Sequence, residues 1–126
     1  MVLVDSSVWI EYFKGNKKTL SLNDLIDSNT VCINDLILSE LIPSINHKKE
    51  TDLKELLFSV EKITLQVNWN SIIHMQTLNL RNGINKIGIA DLIIAQNAMD
   101  NEIELFTLDK HFSLMSELHG IKIYNN

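Results

Sequence analysis

The chain has 126 residues, a size that suits one domain with its own hydrophobic core, and we expect a single domain over residues 1–126. Apolar residues make up 45% of the chain, which excludes an intrinsically disordered protein. The formal net charge is −5, which argues against a protein that coats nucleic acid through bulk positive charge.

The single cysteine, the histidines and the lengths of the apolar runs exclude further classes of protein. Cys32 is the single cysteine, so no internal disulfide can form, and the four histidines show no zinc-binding spacing. No apolar run approaches the roughly 18 residues that cross a membrane, and no basic segment leads into an apolar one at the N-terminus. We therefore expect no membrane partner and a reduced, cytoplasmic setting.

The first half of the chain alternates short β-branched runs with longer amphipathic runs. "MVLV" predicts a strand, and "SSVWIEYFKG" predicts a helix capped by Ser6 or Ser7 and ended by Gly15. "SLNDLIDS" is typical of a short second helix. "VCI" predicts a second strand, and Asn34 is placed to cap the helix "DLILSELIPSI", which Pro43 should kink or shorten.

The second half continues this alternation. "ETDLKELLFSV" predicts a helix with Thr51 near its cap, and "KITLQ" predicts a short strand. "NWNSIIHMQTLNLRNG" predicts a helix that ends at Gly83, and "GIADLIIAQNAMDN" predicts a buried helix. "ELFTL" and "IKIY" predict late strands on either side of the short segment "DKHFSLMSELHG". Strands separated by helices predict right-handed crossovers, and therefore an α/β fold with a central parallel sheet and helices on both faces.

Acidic residues stand where a parallel sheet of this kind collects ligands, at the carboxyl ends of its strands. Asp5 follows the first strand and Asp109 follows "ELFTL". Asp91 lies in the first turn of an apolar helix, and Glu40 has apolar neighbours that put it near the buried side. Each aspartate has an ordinary alternative role, as a helix cap, as a complement to the helix dipole, or as a turn residue.

Four carboxylates in one cleft would repel each other unless a cation offset their charge. All-oxygen ligands suit Mg²⁺ or Mn²⁺, and these ions serve phosphoryl chemistry. Spacing alone does not establish that the four side chains meet, so a shared metal site is a hypothesis at this point.

The same residues carry a family resemblance. The pieces "VLVDSSVWIEYF", "LILSELI", "GIADLIIAQNA" and "LFTLDKHFS" occur in order along essentially the whole chain. With these pieces the sequence resembles the PIN-domain ribonucleases, in particular the VapC-type toxins of prokaryotic toxin–antitoxin pairs. The resemblance implies a three-layer α/β/α fold, metal-dependent endoribonuclease activity on an RNA substrate, a homodimer, and a cognate antitoxin protein encoded nearby.

The resemblance also implies roles for individual residues. The family's acidic quartet, expected to be catalytic and to bind Mg²⁺ or Mn²⁺, corresponds to Asp5, Glu40, Asp91 and Asp109. Ser7 and Thr107 take positions where the family often has small hydroxyl residues near the site, with capping and turn formation as the equal alternative. Pro43 departs from the regular helix that the family generally has after the glutamate.

Binding partners are expected at two other sets of residues. RNA contacts would fall mainly to lysines, whose alternative role is solvated surface charge: Lys14, Lys48, Lys49, Lys86 and Lys110. An antitoxin is expected to put a basic residue in or beside the acidic cleft and an amphipathic segment on the apolar helices around Glu40. Those helices carry Leu36, Leu41, Leu56, Leu57 and Phe58.

Other functions fit the pattern less well. A haloacid-dehalogenase-like phosphatase needs Asp-x-Asp after the first strand, whereas this chain has Asp5-Ser6-Ser7. A receiver domain needs an acidic pair at its first strand and a phosphoacceptor aspartate at its third, and neither pattern is clear. A stand-alone PIN nuclease in RNA processing and a non-catalytic PIN-fold binding module remain as alternatives.

Overall fold

The strands at the centre of the molecule are only two or three residues long. In the computed structural model, which describes residues 1–125, they are β1 (Val2–Val4), β2 (Val31–Ile33), β3 (Glu61–Lys62) and β4 (Glu104–Phe106). All of them pair in parallel, in the order β3-β2-β1-β4. β1 and β2 are buried along their whole length, as strands covered by helices on both faces must be. The expected three-layer α/β/α fold is confirmed.

Helices supply the other two layers and carry most of the side chains discussed below. Within residues 1–125 they are α1 (Ser6–Phe13), α2 (Ser21–Asp27), α3 (Asp35–His47), α4 (Thr51–Ser59), α5 (Trp69–Arg81), α6 (Ile89–Asp100) and α7 (Lys110–His119), with a 3₁₀ turn at Lys17–Thr19. None of these helices has an apolar stretch long enough to cross a lipid bilayer.

The pairing of β1 with β4 positions the functional residues. Val2 lies opposite Glu104 and Val4 opposite Phe106, so the two strands end at the same level. The backbone N–H of Asp5 extends this register by donating to the carbonyl of Phe106 at 2.9 Å. The residues that follow β1 and β4 therefore meet at the carboxyl edge of the sheet, as the parallel arrangement requires.

The core explains why α6 is apolar almost all round. Leu92, Ile94, Ala95 and Ala98 are fully buried, so this helix lies inside the molecule rather than on its surface. The prediction of a buried helix here is confirmed. Asp91, in its first turn, is the point where this helix reaches the polar edge of the sheet.

The helix starts correct one prediction and confirm another. Asp5, not Ser6 or Ser7, is the N-cap of α1, because its extended backbone lets its own carboxylate accept the Ser6 N–H. Asn34 caps α3 as expected, accepting the Ile37 N–H at 2.9 Å.

Pro43 does not shorten its helix, so that part of the expectation is wrong. α3 continues to His47 with Pro43 inside it. Pro43 lies on the exposed side, while Leu41 and Ile45 on either side of it are buried in the core. The packing of these neighbours outweighs the one helical hydrogen bond, to the carbonyl of Ser39, that proline cannot make.

The last third of the chain is more helical than predicted. The segment expected to be short between the late strands forms α7, which begins after the N-cap Asp109 and ends at Gly120 with φ +80°. "IKIY" contributes only a single parallel bridge between Ile123 and Leu105. Of "KITLQ" only Lys62 lies in a strand, the two-residue β3 that begins at Glu61, so most of this prediction is wrong. Both segments lie at the edges of the sheet, and each is too short to form a full ladder of hydrogen bonds with its neighbouring strand.

Candidate functional site

Asp5 is buried and held by several hydrogen bonds. Only 4% of its surface is exposed. Its Oδ1 atom accepts the Ser6 N–H at 2.8 Å, while Oδ2 accepts the hydroxyl of Ser7 at 2.9 Å and the hydroxyl of Thr107 at 3.0 Å. These three donors hold the buried carboxylate in one orientation.

The two hydroxyl groups also tie Asp5 to the loop after β4. Ser7 Oγ accepts the Leu108 N–H at 3.1 Å, and Thr107 Oγ1 accepts the Asp109 N–H at 3.0 Å. Each hydroxyl therefore donates to Asp5 and accepts from the backbone that carries Asp109. Neither residue caps a helix; both connect two parts of the site.

Asp91, Asp109 and His111 form a compact group beside Asp5. Asp109 caps α7 by accepting the His111 N–H at 2.9 Å, and Asp91 lies in the first turn of α6. The imidazole Nδ1 atom lies 3.4 Å from Asp109 Oδ1 and 3.8 Å from Asp91 Oδ2. One ligand atom from each of the three residues lies within 4.8 Å of the other two, a spacing that can hold a metal ion.

Glu40 approaches this group from α3. The expectation that it lies on the buried side is wrong for the residue as a whole, because it is exposed. Its carboxyl group is partly enclosed nevertheless, and this burial raises the pKa of Glu40. The negative charge of Asp5 and, more weakly, that of Asp91 raise the pKa further, while a hydrogen bond from Ser6 opposes them.

Mutual repulsion links the acids electrostatically. Burial raises the pKa of Asp91, the charges of Asp109 and Asp5 add to this rise, and His111 opposes it. Asp5 thus acts on both Asp91 and Glu40, and Asp91 acts on Glu40. The four acids named from the sequence are therefore linked by their charges, which favours a cation, but of the four it is Asp91 and Asp109 that join His111 in the group whose ligand atoms lie within 4.8 Å of one another.

His111 was not predicted to belong to this group, because the four histidines show no zinc-binding spacing and ligands of oxygen only were expected. The missing signal was position: a histidine two residues after a helix-capping aspartate lies in the first turn, beside that aspartate. The donor set observed in this region contains one nitrogen as well as carboxylate oxygens.

An apolar groove runs away from Glu40 between α1, α3 and α4. Its volume is about 330 Å³, and Lys14 and Lys48 flank it. Its apolar lining consists of Ile10, Phe13, Leu41, Ile45 and Leu53. Of the residues that the sequence suggested for such a groove, only Leu41 lines it. Leu57 belongs to the core and is wholly buried, whereas Phe58 is 58% exposed elsewhere.

Comparison with solved structures finds the same fold in several proteins. VapBC2 from Rickettsia felis, bound to a DNA fragment from its promoter, has a chain with a TM-score of 0.78 and 19% identity, and the match covers 99% of this chain and 98% of that one. DNA-bound VapBC from Salmonella typhimurium has a chain with a TM-score of 0.74 and 18% identity, and the match covers 98% of this chain and 96% of that one. FitAcB from Neisseria gonorrhoeae has a chain with a TM-score of 0.71 and 18% identity, and the match covers 99% of this chain and 97% of that one.

Sequence comparison gives the family directly. No curated protein matches this chain in sequence. The sequence model of the PIN domain, however, matches residues 2–118, which include all four acids and both hydroxyl residues described above. With nearly the whole chain matched and the fold shared, this protein belongs to the PIN domain family.

Proposed function

We propose that this protein is a divalent-metal-dependent endoribonuclease and the toxin of a toxin–antitoxin pair. The observation that carries the proposal is the cluster of Asp5, Glu40, Asp91 and Asp109 at one edge of the sheet, where their charges raise the pKa of Asp91 and Glu40. Mutually repelling carboxylates are kept close together in proteins where a cation binds between them during function.

The residues fit a divalent ion. The donor set is made of carboxylate oxygens with one imidazole nitrogen, and the buried Nδ1 atom of His111 has no hydrogen-bond partner. Asp5 and Asp91 would be the principal ligands, with Glu40 and Asp109 binding directly or through water. When bound, Mg²⁺ or Mn²⁺ supplies Lewis acidity toward a phosphate oxygen and lowers the pKa of a water molecule.

With the ion bound, the position of each side chain would determine its role in the reaction. Asp5 is fixed by Ser6, Ser7 and Thr107, so it offers its carboxylate in one orientation. Glu40, which approaches the group from α3, would be the side chain that accepts a proton from an attacking water. The water would displace the 3′ oxygen of the RNA in line and leave a 5′-phosphate, as in the PIN-domain ribonucleases that the sequence resembles. Ser7 and Thr107 would be positioning residues.

Charge balance is compatible with an RNA substrate. Without the four site acids, the formal charge of −5 becomes −1, so the rest of the protein is nearly neutral. The five lysines named from the sequence are all exposed, and Lys14 and Lys48 flank the groove beside Glu40. Lys14 and Lys48 are therefore available to contact phosphates near Glu40.

The toxin assignment is supported by structural neighbours that include VapBC complexes and a toxin–antitoxin complex from Klebsiella pneumoniae. An antitoxin segment would enter the apolar groove and reach Glu40 with an arginine, whose guanidinium pairs well with carboxylates. A homodimer and the cytoplasmic setting expected from the single cysteine belong to the same proposal.

Two experiments test it. Purified protein is incubated with total RNA in Mg²⁺ or in EDTA, beside Asp5→Asn, and cleavage is expected only for the unmutated protein with Mg²⁺. Co-expression with the neighbouring open reading frame is then expected to relieve growth arrest and to yield a complex. Metal-dependent cleavage without growth arrest or a co-purifying neighbour would leave a stand-alone PIN nuclease. No cleavage under any condition would leave a non-catalytic binding module.

A further inference from the structure

His111 faces the two aspartates with its Nδ1 atom. This atom is buried, although the side chain as a whole is 38% exposed, and no hydrogen-bond partner satisfies it. Its distances to Asp109 Oδ1 and Asp91 Oδ2 are 3.4 Å and 3.8 Å. Nitrogen–oxygen hydrogen bonds are typically about 2.7–3.2 Å long, so both separations are longer than a typical hydrogen bond.

These separations are those of atoms that share a metal ion. Ligands at about 2.0–2.2 Å from a tetrahedral ion lie roughly 3.4 Å from each other. The three ligand atoms here all lie within 4.8 Å of one another, so small side-chain rotations bring them to one ion. The alternative is an ion pair between a protonated imidazole and the carboxylates, which a half-exposed position makes weak.

Local structure fixes the imidazole in this place. His111 lies in the first turn of α7, and its N–H donates to the capping carboxylate of Asp109 at 2.9 Å. The next residue, Phe112, is wholly buried and anchors the turn in the core. The direction of the Nδ1 atom is therefore set by the helix start rather than by a flexible loop, as preorganised ligands require.

On the basis of the proposed function, we infer that His111 is a nitrogen ligand of the functional metal ion and that the site therefore takes a first-row transition ion, Mn²⁺, Co²⁺ or Zn²⁺, in preference to Mg²⁺. Imidazole nitrogen suits these ions, whereas Mg²⁺ prefers oxygen ligands and keeps several waters. Within the proposed site, Asp91 and Asp109 are the acids whose oxygen atoms lie beside this imidazole.

Metal titration of the full chain tests this inference. Zn²⁺, Mn²⁺ and Mg²⁺ are titrated separately into the unmutated protein, His111→Gln and the control His74→Gln, whose imidazole is exposed. His111→Gln is expected to weaken Zn²⁺ and Mn²⁺ binding at least as much as the 10–100-fold that loss of an outer-shell partner costs. Mg²⁺ binding should change less than twofold, and His74→Gln should bind all three ions normally.

A second readout needs no variant. In NMR spectra of the unmutated protein, Zn²⁺ is expected to shift the imidazole ¹⁵N resonance of His111, and Mg²⁺ is not. Equal Zn²⁺ affinity in His111→Gln, or an unshifted imidazole with Zn²⁺ bound, overturns the inference, and Mg²⁺-dependent RNA cleavage would then leave the proposed function intact. If the unmutated protein binds none of the ions, both the inference and the metal dependence of the proposed function fail.

Discussion

Asn34 donates its side-chain amide to the Oδ1 atom of Asn97 at 2.8 Å, although the two residues are 63 positions apart in the chain. Asn34 also caps α3 through its own Oδ1, and the Asn97 amide donates to the carbonyl of Thr64 at 3.0 Å. Both asparagines are buried. This pair joins α3, which carries Glu40, to α6, which carries Asp91, and so holds two acids at a fixed separation.

Replacing Asn97 by alanine should destabilise the protein markedly. The change leaves the Asn34 amide and the Thr64 carbonyl without partners, and two such losses correspond to about 2–5 kcal/mol of the free energy of unfolding. Urea unfolding measures this, with the exposed Asn70→Ala as control, expected within about 0.5 kcal/mol of the unmutated protein. Equal midpoints for the two variants would show that the buried pair has no such role.

Asp5→Asn should abolish RNA cleavage while the protein stays folded. The asparagine keeps an oxygen for the Ser6 N–H but removes a charge and an acceptor of the Ser7 and Thr107 hydroxyls. The loss of activity should exceed the 10–100-fold typical for an outer-shell partner of a metal ligand. Circular dichroism and a cleavage assay check this together, and a folded variant with full activity would remove Asp5 from the site.

The same variant should change two titrations. The charge of Asp5 helps to raise the pKa of both Glu40 and Asp91, so its removal should lower both pKa values toward those of ordinary carboxyls. Carboxyl ¹³C chemical shifts followed against pH without metal measure the change. Asp27→Asn, exposed at the end of α2, is the control and should leave both titrations as they are.

Divalent ions should raise the melting temperature. An ion that binds only the native state at ten times its dissociation constant contributes about 1.4 kcal/mol, or roughly 5 °C for a domain of this size. Asp91→Asn should shrink this shift because a ligand is lost, and Asp27→Asn should keep it. Identical melting curves in EDTA and in millimolar Mg²⁺ or Mn²⁺ would mean that the acids do not bind an ion together.

His119 should make the protein less stable in mild acid. Its Nε2 atom bonds to Asn79 Oδ1 at 2.7 Å, and burial, followed by the charge of His74, lowers the pKa of His119 below its usual 6.5. The unfolded state therefore takes up a proton first, so stability is lost as pH falls from 6.5 through the lowered pKa. The free energy of unfolding should differ less between pH 7.5 and pH 5.5 in His119→Gln than in the exposed control His47→Gln. Equal differences would contradict this.

Pro43→Ala should stabilise the protein. Alanine restores the hydrogen bond to the Ser39 carbonyl in the middle of α3, and proline in a helix interior costs up to about 3 kcal/mol relative to alanine. We expect a gain of about 1–3 kcal/mol in the free energy of unfolding. Ser44→Ala, exposed in the same turn, controls for helix propensity alone. An unchanged or lower stability would mean that α3 is already relaxed around the proline.

The positions of most elements and of Asp5, Asp91 and Asp109 follow from local pattern. An aspartate directly after a buried strand, or in the first turn of an apolar helix, must lie at the carboxyl edge of a parallel sheet. Ser7 and Thr107 were expected near the site, but their bridge between Asp5 and the loop after β4 depends on the pairing of β1 with β4.

Other features depend on tertiary packing, which the periodicity of apolar residues in the sequence does not reveal. Apolar neighbours suggested that Glu40 is buried, yet the residue lies on the exposed side of α3. Pro43 looked like a helix breaker, but the buried Leu41 and Ile45 keep the helix intact. His111 gave no spacing signal, because its relation to Asp91 is made by two different helices.

The pairing of β1 with β4 also sets an order of events during synthesis. The ribosome makes Asp5 and Ser7 almost at once, but Thr107 and the backbone of Leu108 and Asp109 emerge about a hundred residues later. A growing or prematurely ended chain thus holds the first acid without the hydroxyl and the helix start that complete its surroundings. A chain that ends before Thr107 also lacks Asp109, so the acidic cluster is complete only in a nearly finished protein.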